Sequence, residues 1–281
     1  MRPVKIIVDS TCDLPPELLK EKEIDIAPLG ILFGEESYHD GVDLSVEELY
    51  KKVAEKKMLP KTSALSIEEL SPLFHQRVNE GYDIFFICIS SEFSSCYQHA
   101  YLASEDIRDH VVCFDSRNLS SGIGLLILKA IKLKEEGKNI FEIESALKEL
   151  VPNVRSQFAV ETLDYLYKGG RCSSLAFIFG KGFHIRPIIR VKDGKMGVYK
   201  KPRGKMVNAL NTLLDIFKED MDHIDLEHVM ITHSLGDEYE VYLRNELKKL
   251  IPENIILSTR AGCVISSHCG KGTIGILYIV K

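Results

Sequence analysis

Residues 83–99 read DIFFICISSEFSSCYQH, and four serines and a cysteine fall within the seven positions 90–96, directly after an apolar run. The apolar run reads as a buried strand, and the turn after such a strand is ordinarily built from glycine, asparagine or proline. Hydroxyls placed where a strand ends and a helix begins lie among unpaired backbone N–H groups at the positive end of a helix dipole, a setting that holds an anion. For any single serine the ordinary alternative is helix capping, here by Ser91 or Ser94 for the helix through Tyr97 and Ala100. Ser66-Ile67-Glu68-Glu69 is a plain capping box. Thr62 and Ser63, just before it, have no such evident task.

Signatures of other chemistries fail on context. Gly270-Lys271-Gly272-Thr273-Ile274-Gly275 spells G-x-G-x-x-G but precedes the final strand, with no room for the helix such a loop requires. No Gly-Lys pair is followed by serine or threonine, so there is no P-loop, and no G-x-S-x-G elbow occurs. His228 and His233, five apart on a strand, point to opposite faces and read as structural. The seven cysteines are odd in number and lack CxxC spacing, which argues against a disulfide framework and a ribbon-type zinc site.

The elements that must position the hydroxyls follow from the apolar pattern. VKIIVDS, DIFFICIS and HVVCFDS are continuous apolar runs separated by helical patterns near Pro15-Pro16, VEELYKKVAEKK and SIEELSPLFHQRVNEG, which predicts a parallel sheet covered on both faces. Each run ends in acid or hydroxyl, at the sheet edge where ligands bind in open α/β folds. Helices near 119–137 and 139–150 close a first lobe. Beyond it come a hairpin about Asp193-Gly194, then helix, strand, helix and two strands. The expected organisation is α/β in two lobes, 1–155 and 156–281, with the first sheet mostly parallel and a ligand buried between the lobes. At 281 residues, 45% hydrophobic and 27% charged, the chain is an ordinary globule. The opening MRPVKIIVDSTCD becomes charged too early for a signal peptide, and no apolar run approaches a membrane span, so the expected location is cytoplasmic. The net charge of −5 gives no footprint for nucleic acid.

Taken together, DSTCDLP, the PLG at 28–30, YHDGVDL, Thr62-Ser63, SSEFSSCYQHA, FDSRNLSSGIG, ETLDYLYKGGR, IRPIIRVKDG, the PRGK at 202–205 and SHCGKG make the chain resemble the DegV family of bacterial fatty-acid-binding proteins. The resemblance runs in the family's order over essentially the whole length. It implies a non-catalytic two-lobed protein that buries one long-chain fatty acid, needs no cofactor or metal, and presents the carboxylate to a separate ATP-binding fatty acid kinase, which makes an acyl phosphate for phospholipid metabolism. Transient membrane contact is compatible with that role. Carried over by position, the carboxylate would be held by Thr62 and Ser94, with Ser63 and Ser95 beside them and Arg171 and His268 in the surrounding network. The chain departs from the family pattern at Ser95 and Cys96, at Ala64 and Leu65 after the threonine–serine pair, and at Cys269 and Lys271, departures that bear on acyl-chain preference and on kinase partnership.

A buried carboxylate needs several converging donors, and hydroxyls, helix-start N–H groups and an arginine are that inventory. The tail supplies more of the affinity: at ~0.8 kcal/mol per buried CH₂, about fourteen methylenes would gain on the order of 11 kcal/mol before ordering costs. Phe85, Ile87, Phe158, Val160, Phe177 and Ile265 are apolar enough to meet it, with core packing the alternative for each. Two other readings stay open: an acyl hydrolase with a Ser94 nucleophile and His268 base, and a carrier of a different amphiphile. The segment RVKDGKMGVYKKPRGK (190–205) carries seven basic residues and one acid, against an acidic remainder. It is expected to dock an acidic partner through Lys200, Lys201 and Arg203, the alternative being a solvated basic face.

Overall fold

The computed structural model describes residues 2–172 and 185–281. Phe177, among the apolar candidates, lies outside the described residues. In chain order the strands are β1 (Val4–Asp9), β2 (Asp25–Ala27), β3 (Gly30–Phe33), β4 (Glu36–His39), β5 (Lys61–Ser63), β6 (Asp83–Cys88), β7 (Val111–Asp115), β8 (Val154–Ala159), β9 (Ile188–Lys192), β10 (Lys195–Lys200), β11 (Ile224–His233), β12 (Ile256–Arg260) and β13 (Ile274–Val280). The α-helices are α1 (Pro16–Glu21), α2 (Val46–Lys56), α3 (Ile67–Asn79), α4 (Cys96–Ala103), α5 (Ser121–Glu135), α6 (Ile140–Leu150), α7 (Asp164–Gly169), α8 (Met206–Glu219), α9 (Asp237–Leu247) and α10 (Cys263–Cys269).

The first sheet is wholly parallel in the order β2-β1-β6-β7, as continuous apolar strands with helical crossovers require. A small antiparallel sheet, β4-β3-β5, stands beside it and brings Thr62 opposite Ile31 and Ser63 opposite Gly30. The second sheet, β10-β9-β8-β13-β11-β12, is antiparallel except between β11 and β12. The hairpin turn falls at Asp193 (φ 52°) and Gly194 (φ 78°), the left-handed pair that a two-residue connection needs.

Strand β13 is buried along its whole length because both of its faces are covered. Ile274, Ile276 and Tyr278 join α8 and α9 in one apolar cluster, while Leu277 and Ile279 point the other way, into the core shared with the first sheet. Helix α5 is wedged between the two sheets. A Cβ on its Gly122 would lie 2.3 Å from Ser156 Oγ of β8, and one on Gly124 would lie 2.8 Å from Leu14 of the first lobe. Neither contact leaves room for a side chain, so two glycines set how closely the layers approach.

Candidate functional site

A cavity of about 500 Å³ opens where β5, the turn before α4, the end of α7 and α10 meet. Thr62, Ser63, Ser94, Ser95, Arg171 and His268, singled out in sequence from four separate segments, all line it. Ser91 lines it as well, whereas Ser90, from the same serine-rich stretch, does not. Ser90 Oγ donates to the Gly194 carbonyl at 2.9 Å, tying the strand end to the hairpin, and Ser91 Oγ donates to Asp115 Oδ2 at 2.6 Å, tying it to β7. Ser94 Oγ accepts from the Cys96 N–H at 3.3 Å in the turn before α4 while bordering the cavity; the N-cap itself is Ser95, whose side chain makes no capping bond, so the expected serine cap is not formed.

The close contact among the polar residues of the cavity lining is Thr62 Oγ1 to His268 Nε2, 2.9 Å. His268 Nδ1 is buried without a hydrogen-bond partner among the described residues. It faces the backbone of Gly169, where a Cβ would sit 2.6 Å from it. Burial, and after it the Arg171 guanidinium, push the His268 pKa down to about 4, so the ring is neutral at pH 7. Arg171 is exposed, its Nη1 donating to the Gly169 carbonyl at 2.7 Å, which holds a cationic group at the cavity mouth.

Helix α10 carries His268, and its start is fixed by buried carboxylates of the first lobe. Gly262 N–H donates to Asp13 Oδ1 at 2.8 Å and Cys263 N–H donates to Asp40 Oδ1 at 2.7 Å. Ser120 Oγ donates to the other oxygen of Asp13, and Ser10 Oγ to the other oxygen of Asp40 at 2.9 Å. Desolvation raises both carboxyl pKa values. Neither acid stands out in sequence: Asp13 lies between Cys12 and Leu14 in DSTCDLP, and Asp40 between His39 and Gly41 in YHDGVDL.

Leu119, Ile265 and Cys269 line both this cavity and a neighbouring hollow of about 20 Å³ walled by Phe158 and Leu277. Thr232, Ser234 and Thr273 border that hollow, but their hydroxyls are spent on Thr259, Ser266 and the Cys269 carbonyl, leaving carbon toward the space. Phe158 and Ile265 therefore border these spaces, whereas Phe85, Ile87 and Val160 are core residues bordering neither. Lys200, Lys201 and Arg203 are exposed and lie outside the cavity lining. Among the described residues no cluster of His, Cys, Asp or Glu could hold a metal ion, and no helix is long and apolar enough to cross a membrane.

Comparison with known proteins supplies the wider frame. The family described as "Uncharacterised protein, DegV family" matches residues 3–281. A DegV domain-containing protein of Clostridium acetobutylicum is 36% identical over 282 residues, covering all of both chains. Among solved structures, a DegV family protein from Thermus thermophilus, described for its fatty acid binding, superimposes with a TM-score of 0.93 at 27% identity over the whole of both chains. DegV of Bacillus subtilis, described as a fatty acid binding protein, gives 0.88 at 26% identity, again over the whole of both chains.

Proposed function

The chain belongs to the DegV family, and from that premise we propose that it is a lipid carrier that buries one long-chain fatty acid and presents its carboxylate to a separate ATP-binding kinase. The observation that carries this reading is the meeting of Thr62, Ser63, Ser94, Ser95, Arg171 and His268 in the lining of one cavity that also carries Leu29, Ile89, Leu119, Val264 and Ile265. The volume of about 500 Å³ is in the range of small-molecule sites. Hydroxyls and the neutral imidazole supply donors to an ionised head, and Arg171 supplies the opposite charge, so the carboxylate is buried with partners rather than alone. The apolar residues of the cavity lining meet the tail, where most of the binding free energy arises.

Exposure of Arg171 at the mouth supports presentation of the head to a partner bearing the phosphoryl donor. A serine hydrolase would need Ser94 paired with His268. Here His268 Nε2 pairs with Thr62, Ser94 Oγ with the Cys96 N–H, and His268 Nδ1 has no acceptor to orient the ring, which favours the carrier.

The decisive experiment is organic extraction of the purified protein followed by mass spectrometry. One equivalent of a long-chain fatty acid is the expected result. Recovery of a neutral lipid, or of no lipid from protein that also fails to take up added oleate, overturns the proposal.

A further inference from the structure

On the other side of the β9–β10 hairpin lies a second large cleft, about 580 Å³, whose lining includes Arg117, Arg155, Arg190 and Lys192, with Asp193 and Asp220 as its acids. Met196 lines the fatty-acid cavity, whereas Asp193 and Gly194 line this cleft, so the hairpin separates the two spaces. Its lining carries four cations and two carboxylates, and Glu92 and Asp115 stand 3.7 and 3.9 Å from Arg117 Nη1.

The arginines are held in place by a buried polar chain. Arg190 donates through Nε and Nη2 to Gln157 Oε1 at 3.1 and 2.8 Å, and its guanidinium lies 3.5 Å from the centre of the Tyr199 ring. Gln157 Nε2 donates to Tyr278 Oη at 3.0 Å, and that hydroxyl donates to Asp220 Oδ2 at 2.8 Å. Asp220 Oδ2 in turn stands 3.6 Å from Arg155 Nε. Strand register explains the alignment: Gln157 is opposite Arg190 and Tyr278 is opposite Arg155, which puts all four on one face of the sheet. Gln157 and Tyr278 are fully buried. Arg117 enters from the loop after β7, its Nη2 donating to the Asp193 carbonyl. Three guanidiniums from three elements thus converge, and each chain link engages only part of a five-donor fork.

We propose that this cleft is a binding site for a phosphate-bearing small molecule. Guanidinium forks match phosphate oxygens in pairs, and Arg155, Arg190 and Lys192 present unmatched donors to the cleft. The proposal is independent of the fatty-acid reading, because none of these four basic residues lines the lipid cavity.

The test is isothermal titration of the full-length protein with inorganic phosphate and with adenosine monophosphate, using chloride at matched ionic strength as the control. Saturable binding of either phosphate compound, and not of chloride, is expected. Equal affinity for the two assigns recognition to the phosphoryl group, and tighter binding of the nucleotide assigns a contact to its remainder. Arg155→Gln and Lys192→Gln should each weaken binding about tenfold, with lipid content unchanged. Lys192 is exposed, so its variant folds even if the other does not. Absence of saturable heat up to about 10 mM, or undiminished affinity in Lys192→Gln together with Arg117→Gln, overturns the site.

Discussion

Thr62 and His268 share a hydrogen bond across 206 residues of chain, joining two of the polar residues that line the cavity. Replacing Thr62 and Ser94 together with alanine should leave a folded protein that purifies with little or no fatty acid, because two neutral donors to the head are gone. Lipid content equal to wild type, by extraction and mass spectrometry, would sink the carboxylate assignment. His268 makes a separate prediction about pH. Its ring titrates near 6.5 in the unfolded chain and near 4 in the fold, so below pH 6.5 the unfolded state takes up a proton that the folded state refuses. Its contribution is therefore complete above pH 6.5 and declines as pH falls toward 4. Asp9, pushed up to about 6 by burial, has the opposite sign, its contribution being present below pH 3.8 and lost as pH rises through 6. Between pH 7 and pH 5, wild type should lose about 1–2 kcal/mol more than His268→Gln in urea titrations, since the substitution removes one slope and leaves the other. Parallel curves would assign the acid loss elsewhere. At this scale the sequence was legible where hydroxyls crowd together, but not in how they divide. Ser90 and Ser91 are consumed by Gly194 and Asp115, partners 104 and 24 residues away, and no local pattern announces such pairings.

Helix α10 is seven residues long and short of any repeat by which periodicity could reveal it, and in sequence it shows only as the motif SHCGKG. Strands β2 to β5, of three or four residues each, are hidden for the same reason, while β1, β6 and β7 are plain from their apolar runs. The antiparallel order of the second sheet is non-local apart from its hairpin, so the alternation of strand and helix could suggest α/β but not the pairing. What α10 lacks in length it gains in anchorage: Asp13 and Asp40 hold its start, and Gly169 of α7 lets its histidine approach. Gly169→Ala tests that approach. The added methyl must displace the imidazole or part the two helices, so lipid content should fall, with a stability cost of about 1–3 kcal/mol from overpacking. Full lipid occupancy and an unchanged Tm would show that the Gly169–His268 contact relaxes freely.

For the whole molecule, the basic segment 190–205 divides between two faces. Arg190 and Lys192 look into the arginine cleft, and Lys200, Lys201 and Arg203 are exposed beyond the hairpin. If the outer group docks the proposed kinase, Arg203→Ala should leave bound lipid unchanged while acyl phosphate formation falls, most clearly at low ionic strength where surface charge steers association. Equal rates at low and high salt would return the outer group to a solvated face.

In chain order β13 comes last among the strands, yet it stands in the middle of the second sheet, with β8 on one side and β11 on the other. During synthesis the first sheet can assemble early, because its last strand ends at Asp115. The second sheet stays in two unjoined parts until residues 274–280 have left the ribosome, whereas α10, directly before them, is anchored on Asp13 and Asp40 of the first lobe. Completion of the cavity wall thus comes after completion of the first sheet. On the proposed reading, a fatty acid meets its apolar wall only after β13 has joined the two parts of the second sheet, so loading follows completion of that sheet.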